Sequence, residues 1–165
     1  MENKAIVKMA LDDYYRISGL RSYMVLDNEK IESASEKNYF CKCLKISSKA
    51  LKKCEECMEE TYSNASSIEK ECIYSCHAGL IKWALPFNQD NFHCVIVSEG
   101  ILGAKQKEEA NEWAKYLANE YQLNEEMLLS NFNVIQTMDT QQMHASVELL
   151  KSLLTYHFIV NKEKA

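Results

Sequence analysis

The chain has 165 residues, of which 47% are hydrophobic and 26% charged, and its formal net charge at pH 7 is -5. This composition is typical of a globular protein, and a single domain over residues 1–165 is predicted. The acidic balance and the lack of a basic stripe argue against direct nucleic-acid binding. No apolar run reaches the roughly 18 residues that span a bilayer, and no signal-peptide pattern is present, so we expect a cytoplasmic protein without membrane contact.

The first half of the chain predicts one long helix, two short strands and two further helices. Apolar residues at helical spacing predict a helix over residues 4–18, and Gly19 is well placed to end it. The segments "RSYMVLD" and "IESAS", on either side of "DNEK", predict a hairpin. A helix is predicted over residues 36–46. A second one is capped by Ser47 or Ser48 and ends near residue 65, where "SNASS" predicts a break.

Between residues 71 and 102 the apolar pattern changes to a period of two, which predicts strands at "ECIYSC", "LIKWALPF" and "FHCVIVSEG". Helices resume at Lys105, and Asn124 is predicted to cap a short helix. A last long helix is predicted over residues 140–160. Two strands, then helices, then an antiparallel run of three strands predict an α+β fold. We expect a PAS-like five-stranded antiparallel sheet flanked by helices, with long helices at the N- and C-termini.

The final helix carries two apolar stripes, where one would be enough to pack on the rest of the domain. The first stripe consists of Met143, Val147, Leu150 and Leu154, and the second of Leu149, Leu153, Tyr156 and Val160. Two explanations for the second stripe stay open. It is buried within this chain, or it is covered by another subunit, as a homodimer or a signalling partner held through the terminal helices.

The stretch "YSCHAGLIKWALPF", residues 74–87, places Cys76 beside His77. Neighbouring side chains in a strand point to opposite faces, so these two would form a nucleophile–base pair only if His77 adopted a turn conformation. A distant histidine, at position 93, 144 or 157, is the other possible base, and catalysis is not predicted. One interpretation makes Cys76 a small buried apolar residue and His77 a satisfied polar one, with Gly79 permitting an unusual backbone angle. The other places both at the mouth of a pocket for a small organic ligand. The predicted ligand-binding residues are Tyr39, Phe40, Tyr74, Cys76, His77 and Trp83.

The same stretch resembles the signature of the PocR sensory domain family. "FCKCLKIS" and "KKCEEC" resemble two upstream segments of that family and place Cys41 and Cys54 on its cysteines, and the first and last helices are also similar. The resemblance implies a non-enzymatic, PAS-related sensor of a small organic molecule, such as a short diol or alcohol-like hydrocarbon derivative. Domains of this kind control signal transduction or transcription through an attached output.

Seven cysteines is a high count for a protein without disulfides, and reduced thiols are predicted for a cytoplasmic chain. Cys54 and Cys57 lie one helical turn apart and could contribute to a zinc or iron–sulfur site if other thiols converge on them. Cys41, Cys54 and Cys76 are the best candidate ligands, because they also carry the family resemblance. A cysteine-based metal, iron–sulfur or redox sensor is therefore the alternative function.

Overall fold

The structure is a computed structural model that describes residues 2–26 and 38–163. Seven helices and four strands lie within these residues, which confirms the predicted α+β class. In chain order they are α1 Asn3–Ser18, β1 Ser22–Val25, α2 Tyr39–Leu44, α3 Ser48–Ile68, β2 Cys72–Ser75, β3 Ile81–Gln89, β4 Phe92–Ser98, α4 Ala104–Glu108, α5 Ala110–Tyr121, α6 Glu125–Phe132 and α7 Thr140–Glu163.

Three of the predicted helix ends are confirmed by their hydrogen bonds. Gly19 adopts the left-handed conformation with φ 72° and donates its N–H to the carbonyl of Tyr15, which ends α1. The hydroxyl of Ser47 accepts a hydrogen bond from the backbone of Ala50, and the side chain of Asn124 caps α6 in the same way. Local side-chain chemistry is therefore sufficient to start or stop these helices.

The predicted break at "SNASS" is wrong, because α3 continues through it to Ile68. Ala65 is fully buried against the sheet, and this packing stabilises the helix beyond the predicted break. The serine hydroxyls are satisfied within the fold: Ser67 bonds back to the carbonyl of Ser63, and Ser66 pairs with the ring of His93. Tertiary packing here overrides a weak local preference.

The four described strands form one antiparallel sheet in the order β1-β4-β3-β2. The fifth predicted strand, "IESAS", lies outside the described residues, so the five-stranded PAS-like arrangement stays a prediction. The strands pair in register, with Tyr74 opposite Lys82 and Ile73 opposite Trp83. Because paired residues share a face and neighbours alternate, this register determines which residues of β2 and β3 can meet.

The sheet is covered on both faces, which explains why apolar residues occupy both parities of β3 and β4. One face, with Trp83, Leu85 and Ile96, packs against α1 and α7. The other face, with Ala84 and Val97, packs against α3. A further apolar cluster lies among α2, α5 and α6 and includes Leu80, directly before the start of β3.

The first apolar stripe of α7 is buried, as predicted, in the core it shares with α1 and the sheet. Leu149 and Leu153 of the second stripe are half-buried against the same core, whereas Tyr156 remains 58% exposed. His157 Nε2 lies 2.8 Å from Asp13 Oδ2 and ties α7 to α1. Although α7 is 24 residues long, neither it nor any other helix in the described part of the chain has the apolar length required to cross a membrane.

Candidate functional site

A tight turn between β2 and β3 organises the candidate site. The N–H of Cys76 donates to the carbonyl of Leu80 at 2.9 Å, and the N–H of Gly79 donates to the carbonyl of Cys76 at 2.9 Å. Gly79 has φ 83°, a conformation that residues with a Cβ rarely adopt. The expected unusual backbone angle at Gly79 is therefore present, and His77 lies in the turn, beyond the end of β2 at Ser75, where the alternation of a strand no longer applies.

His77 is held by hydrogen bonds at both ring nitrogens. Nε2 lies 2.9 Å from Cys54 Sγ on α3, and Nδ1 lies 3.0 Å from the hydroxyl of Tyr121 at the end of α5. The rings of His77 and Tyr121 meet edge to face, with centroids 6.0 Å apart. A neutral imidazole donates through one nitrogen and accepts through the other, so this arrangement fits the neutral form.

Burial keeps both members of the Cys54–His77 pair uncharged at neutral pH. It raises the pKa of the Cys54 thiol to about 11, against an opposing effect of the Lys45 charge. Burial also lowers the pKa of His77, and the positive charge of Lys53 acts in the same direction. The pair is therefore a thiol and a neutral imidazole joined by a hydrogen bond, and it lacks the thiolate of an activated nucleophile.

Cys76 and Lys82 add a second thiol and a buried ammonium group beside this pair. Lys82 is only 8% exposed, and its Nζ donates to the hydroxyl of Tyr23 at 2.7 Å. Burial raises the pKa of the Cys76 thiol, whereas the Lys82 charge and the backbone amide of Ala78 oppose that rise. Burial likewise raises the pKa of Tyr74, again against the Lys82 charge. We use the name polar cluster for Tyr23, Cys54, Tyr74, Cys76, His77, Lys82 and Tyr121.

The six predicted ligand-binding residues do not come together as one set. Tyr74, Cys76 and His77 belong to the polar cluster on the α3 side of the sheet. Phe40 is fully buried, edge to face with Phe132, in the apolar cluster among α2, α5 and α6. Two others lie elsewhere: Tyr39 is 69% exposed, and Trp83 is buried on the opposite face of the sheet, towards α1 and α7.

The three predicted metal ligands do not form one set. Cys54 and Cys76 belong to the polar cluster, whereas Cys41 is half-buried against the apolar cluster among α2, α5 and α6, which Cys76 also borders. Over residues 2–26 and 38–163, no group of three or more histidine, cysteine, aspartate or glutamate side chains is arranged to hold a metal ion. All seven cysteines are free thiols, in line with the reduced state expected from the sequence. Metal or cluster binding stays a prediction that chemical analysis must test.

Sequence reasoning missed three members of the polar cluster, Tyr23, Lys82 and Tyr121. Lys82 could have been identified from the sequence. It lies in a strand whose neighbouring residues are apolar on both faces, so the lysine must either be enclosed or interrupt the packing. Tyr121 ends an apolar helical stripe, and its hydroxyl needs a partner if its ring is buried. The pairing of Cys54 with His77 joins residues 23 positions apart, and no local pattern predicts it.

The fold and the site define an α+β domain in which an imidazole, two thiols and a lysine lie between a sheet and its covering helix. A family model described as the sensory domain found in PocR matches residues 3–161. The chain therefore belongs to the PocR sensory domain family and is a sensory domain, as its resemblance indicated. No curated protein and no solved structure matches the chain.

Proposed function

We propose that the chain senses a small organic molecule, a short diol or alcohol-like hydrocarbon derivative, which binds at the polar cluster and controls signalling or transcription. The observation that carries this proposal is the placement of His77 between Cys54 and Tyr121. An alcohol hydroxyl both donates and accepts hydrogen bonds, so it can replace either partner on the imidazole. Membership of a sensory family supports the same role.

The surroundings of the polar cluster suit a small, partly apolar guest. Pockets for such molecules combine apolar walls with a few fixed polar groups. Ala84 and Val97 of the sheet and Met58 of α3 supply apolar surface beside Tyr74. His77 and Lys82 supply polar groups whose own positions are held by hydrogen bonds, so little ordering is needed when a ligand arrives.

Replacing His77 with alanine is expected to weaken diol binding at least about fivefold, because the loss of one hydrogen bond costs about 1 kcal/mol. The probes are ethylene glycol, propylene glycol and propanol, titrated into the full chain and followed by backbone amide NMR shifts. Tyr121→Phe leaves the imidazole in place while removing one of its partners, and it serves if His77→Ala does not fold. His144→Ala, on the exposed side of α7, is the matched control. Saturable binding that is unchanged in both site variants would place the ligand elsewhere.

The stability of the folded chain is expected to fall in mild acid through His77. Burial lowers the pKa of this ring below its ordinary value of 6.5, so the unfolded chain binds the proton more readily. This contribution is fully present above the unfolded pKa and is lost as the pH falls through the lowered folded value. Urea unfolding of the wild type and of His77→Gln, at a series of pH values between neutral and mildly acidic, measures it. The decline should be less steep in the variant, and equal slopes would contradict the assignment.

A cysteine-based sensor of metal or redox state is the second candidate. It is supported by the proximity of Cys76 to Cys54 and Cys57 of α3. Burial is the main cause of the raised pKa of the Cys54 and Cys76 thiols, and Cys57 adds to the rise at both, as Cys76 does at Cys54. Elemental analysis and an anaerobic absorption spectrum of purified protein test this candidate directly. Stoichiometric zinc or a cluster absorption band would favour it, whereas seven titratable thiols without metal would leave the organic ligand as the better explanation.

We further propose that the protein works in the reducing cytoplasm and pairs through its terminal helices, as a homodimer or with a signalling partner. The free thiols support the first point. Tyr156 and Ile159, which are 58% and 54% exposed on α7, support the second. Light scattering should detect a dimer that Tyr156→Glu dissociates. A wild-type chain that stays monomeric at high concentration would contradict self-association.

A further inference from the structure

The outer side of the turn that carries His77 is held by two side chains from the following helices. Trp113 Nε1 donates to the carbonyl of Ala78 at 2.6 Å, and Gln106 Nε2 donates to the carbonyl of Gly79. The Trp113 ring also lies so close to Gly79 that a Cβ there would come within 2.6 Å of it. His77 contacts α3 and the end of α5, while the next two residues contact Trp113 and Gln106, so the turn joins the polar cluster to a second location.

That second location is a surface cavity of about 420 Å³. Its walls are Gly79, Gln106, Glu109, Glu112, Trp113, Tyr116 and Phe132. The rings of Trp113 and Tyr116 stack at 5.2 Å with an interplanar angle of 24°, and Tyr116 is 53% exposed. The cavity therefore offers a broad aromatic surface to an incoming group.

Both charged residues that line the cavity are acidic. Glu109 and Glu112 are exposed, and neither forms an ion pair with another residue of the described part of the chain. Their position at the start of α5 suits the positive end of the helix dipole, which explains carboxylates there. The dipole does not explain the stacked aromatic pair beside them. Two carboxylates next to exposed ring faces together match an organic cation.

We propose that this cavity binds the guanidinium group of an arginine side chain presented by a partner protein. A guanidinium is planar and always charged, stacks on aromatic rings and donates several hydrogen bonds to carboxylates, so it can use Tyr116, Glu109 and Glu112 at once. A lysine ammonium is a compact charge and lacks the flat face. The volume of 420 Å³ accommodates such a side chain and lies within the range of protein binding sites, roughly 300–1,000 Å³.

The cavity lies against the turn that carries His77, and for this reason we assign it to a partner protein rather than to a free small cation. This assignment rests on the proposed function. A ligand that displaces Cys54 or Tyr121 from His77 shifts the turn, and the carbonyls of Ala78 and Gly79 move with it. Trp113 follows through its hydrogen bond, which changes the aromatic wall of the cavity. The ligand at the polar cluster therefore changes the affinity of the cavity for arginine. Because binding equilibria are linked, arginine in the cavity changes the affinity of the polar cluster for the ligand by the same factor.

The test uses the full chain and N-acetyl-argininamide as the probe, followed by the indole N–H signals of its two tryptophans, Trp83 and Trp113. We expect a saturable shift of the Trp113 signal, none of the buried Trp83 signal, and no response to N-acetyl-citrullinamide, which is neutral but similar in shape. The double variant Glu109→Gln/Glu112→Gln should weaken probe binding at least about fivefold, whereas Glu108→Gln, which does not line the cavity, should leave it unchanged. An equal response to citrullinamide, or unchanged binding in the double variant, would overturn the proposal.

Two further arms identify the source of the cation and separate this proposal from the sensory one. A glycine–arginine–glycine peptide blocked at both ends should bind at least as tightly as the single blocked residue, as a partner segment would. Preferential binding of free arginine would instead identify a metabolite site and contradict a docking role. Because the titration contains no diol, failure of diol binding would refute the proposed function alone, and failure of arginine binding would refute this inference alone. With both present, propylene glycol should change the affinity for the arginine probe.

Discussion

Gly79→Ala is expected to lower the free energy of unfolding by about 2–5 kcal/mol. Two costs add at this position. A residue with a Cβ pays roughly 1–2 kcal/mol to adopt the left-handed conformation, and forcing an atom into a packed site typically costs about 1–3 kcal/mol. At Gly79, φ is 83° and the new Cβ would lie 2.6 Å from Trp113 Cζ2, so both apply.

The chain contains a matched control for this prediction. Gly19 also has a left-handed backbone, with φ 72°, but nothing lies within 4 Å of where its Cβ would be. Gly19→Ala should therefore lower the free energy of unfolding only by the conformational cost, about 1–2 kcal/mol. Urea unfolding of both variants and the wild type separates the two contributions. Equal losses would mean that the Trp113 ring moves aside freely, and the coupling between the turn and the outer cavity would fail with it.

Trp83→Ala is expected to destabilise the chain by about 3–5 kcal/mol, the usual cost of deleting a buried aromatic side chain. Trp83 has no exposed surface and belongs to the same buried cluster as Tyr14 of α1 and Leu150 of α7. It lies on the face of the sheet away from the polar cluster. We therefore expect the milder Trp83→Phe, which keeps most of the packing, to bind diols as tightly as the wild type does.

This second prediction tests the corrected position of Trp83 as well as its energetic role. Val134→Ala, at a position that is 76% exposed, is the control and should change stability by no more than about 0.5 kcal/mol. Chemical denaturation gives the stabilities, and NMR titration with propylene glycol gives the affinities. Weaker diol binding in Trp83→Phe, with stability preserved, would place the ligand on the α1 and α7 side of the sheet.

Much of the fold was predictable because it is encoded by neighbouring residues. The ends of α1, α3 and α6 rest on Gly19, Ser47 and Asn124, each of which bonds to backbone groups within four positions of itself. β3 and β4 lie where strands were predicted, although burial does not alternate along them, because helices cover both faces of the sheet. Where a local signal was misleading, as at "SNASS", contacts with the sheet outweighed it.

The candidate site was only partly predictable. Tyr74, Cys76 and His77 were identified by their motif, and they lie together. Trp83 was assigned to the same pocket as part of its apolar lining. Strand periodicity could have separated Tyr74 from Trp83 only with the register known, since the partner of Tyr74 is Lys82 and that of Trp83 is Ile73.

By itself, the sequence determined most of the helices and strands of the described residues, the α+β class and the motif that marks the family, because hydrogen bonding and side-chain patterns over a few residues specify them. Only the tertiary structure decided that His77 meets Cys54 and Tyr121, that Lys82 is enclosed, and that Trp83 lies on the far face of the sheet. The physical reason is that these outcomes depend on how separate elements pack. A periodic pattern shows that a face is buried, but it does not name the element that covers it.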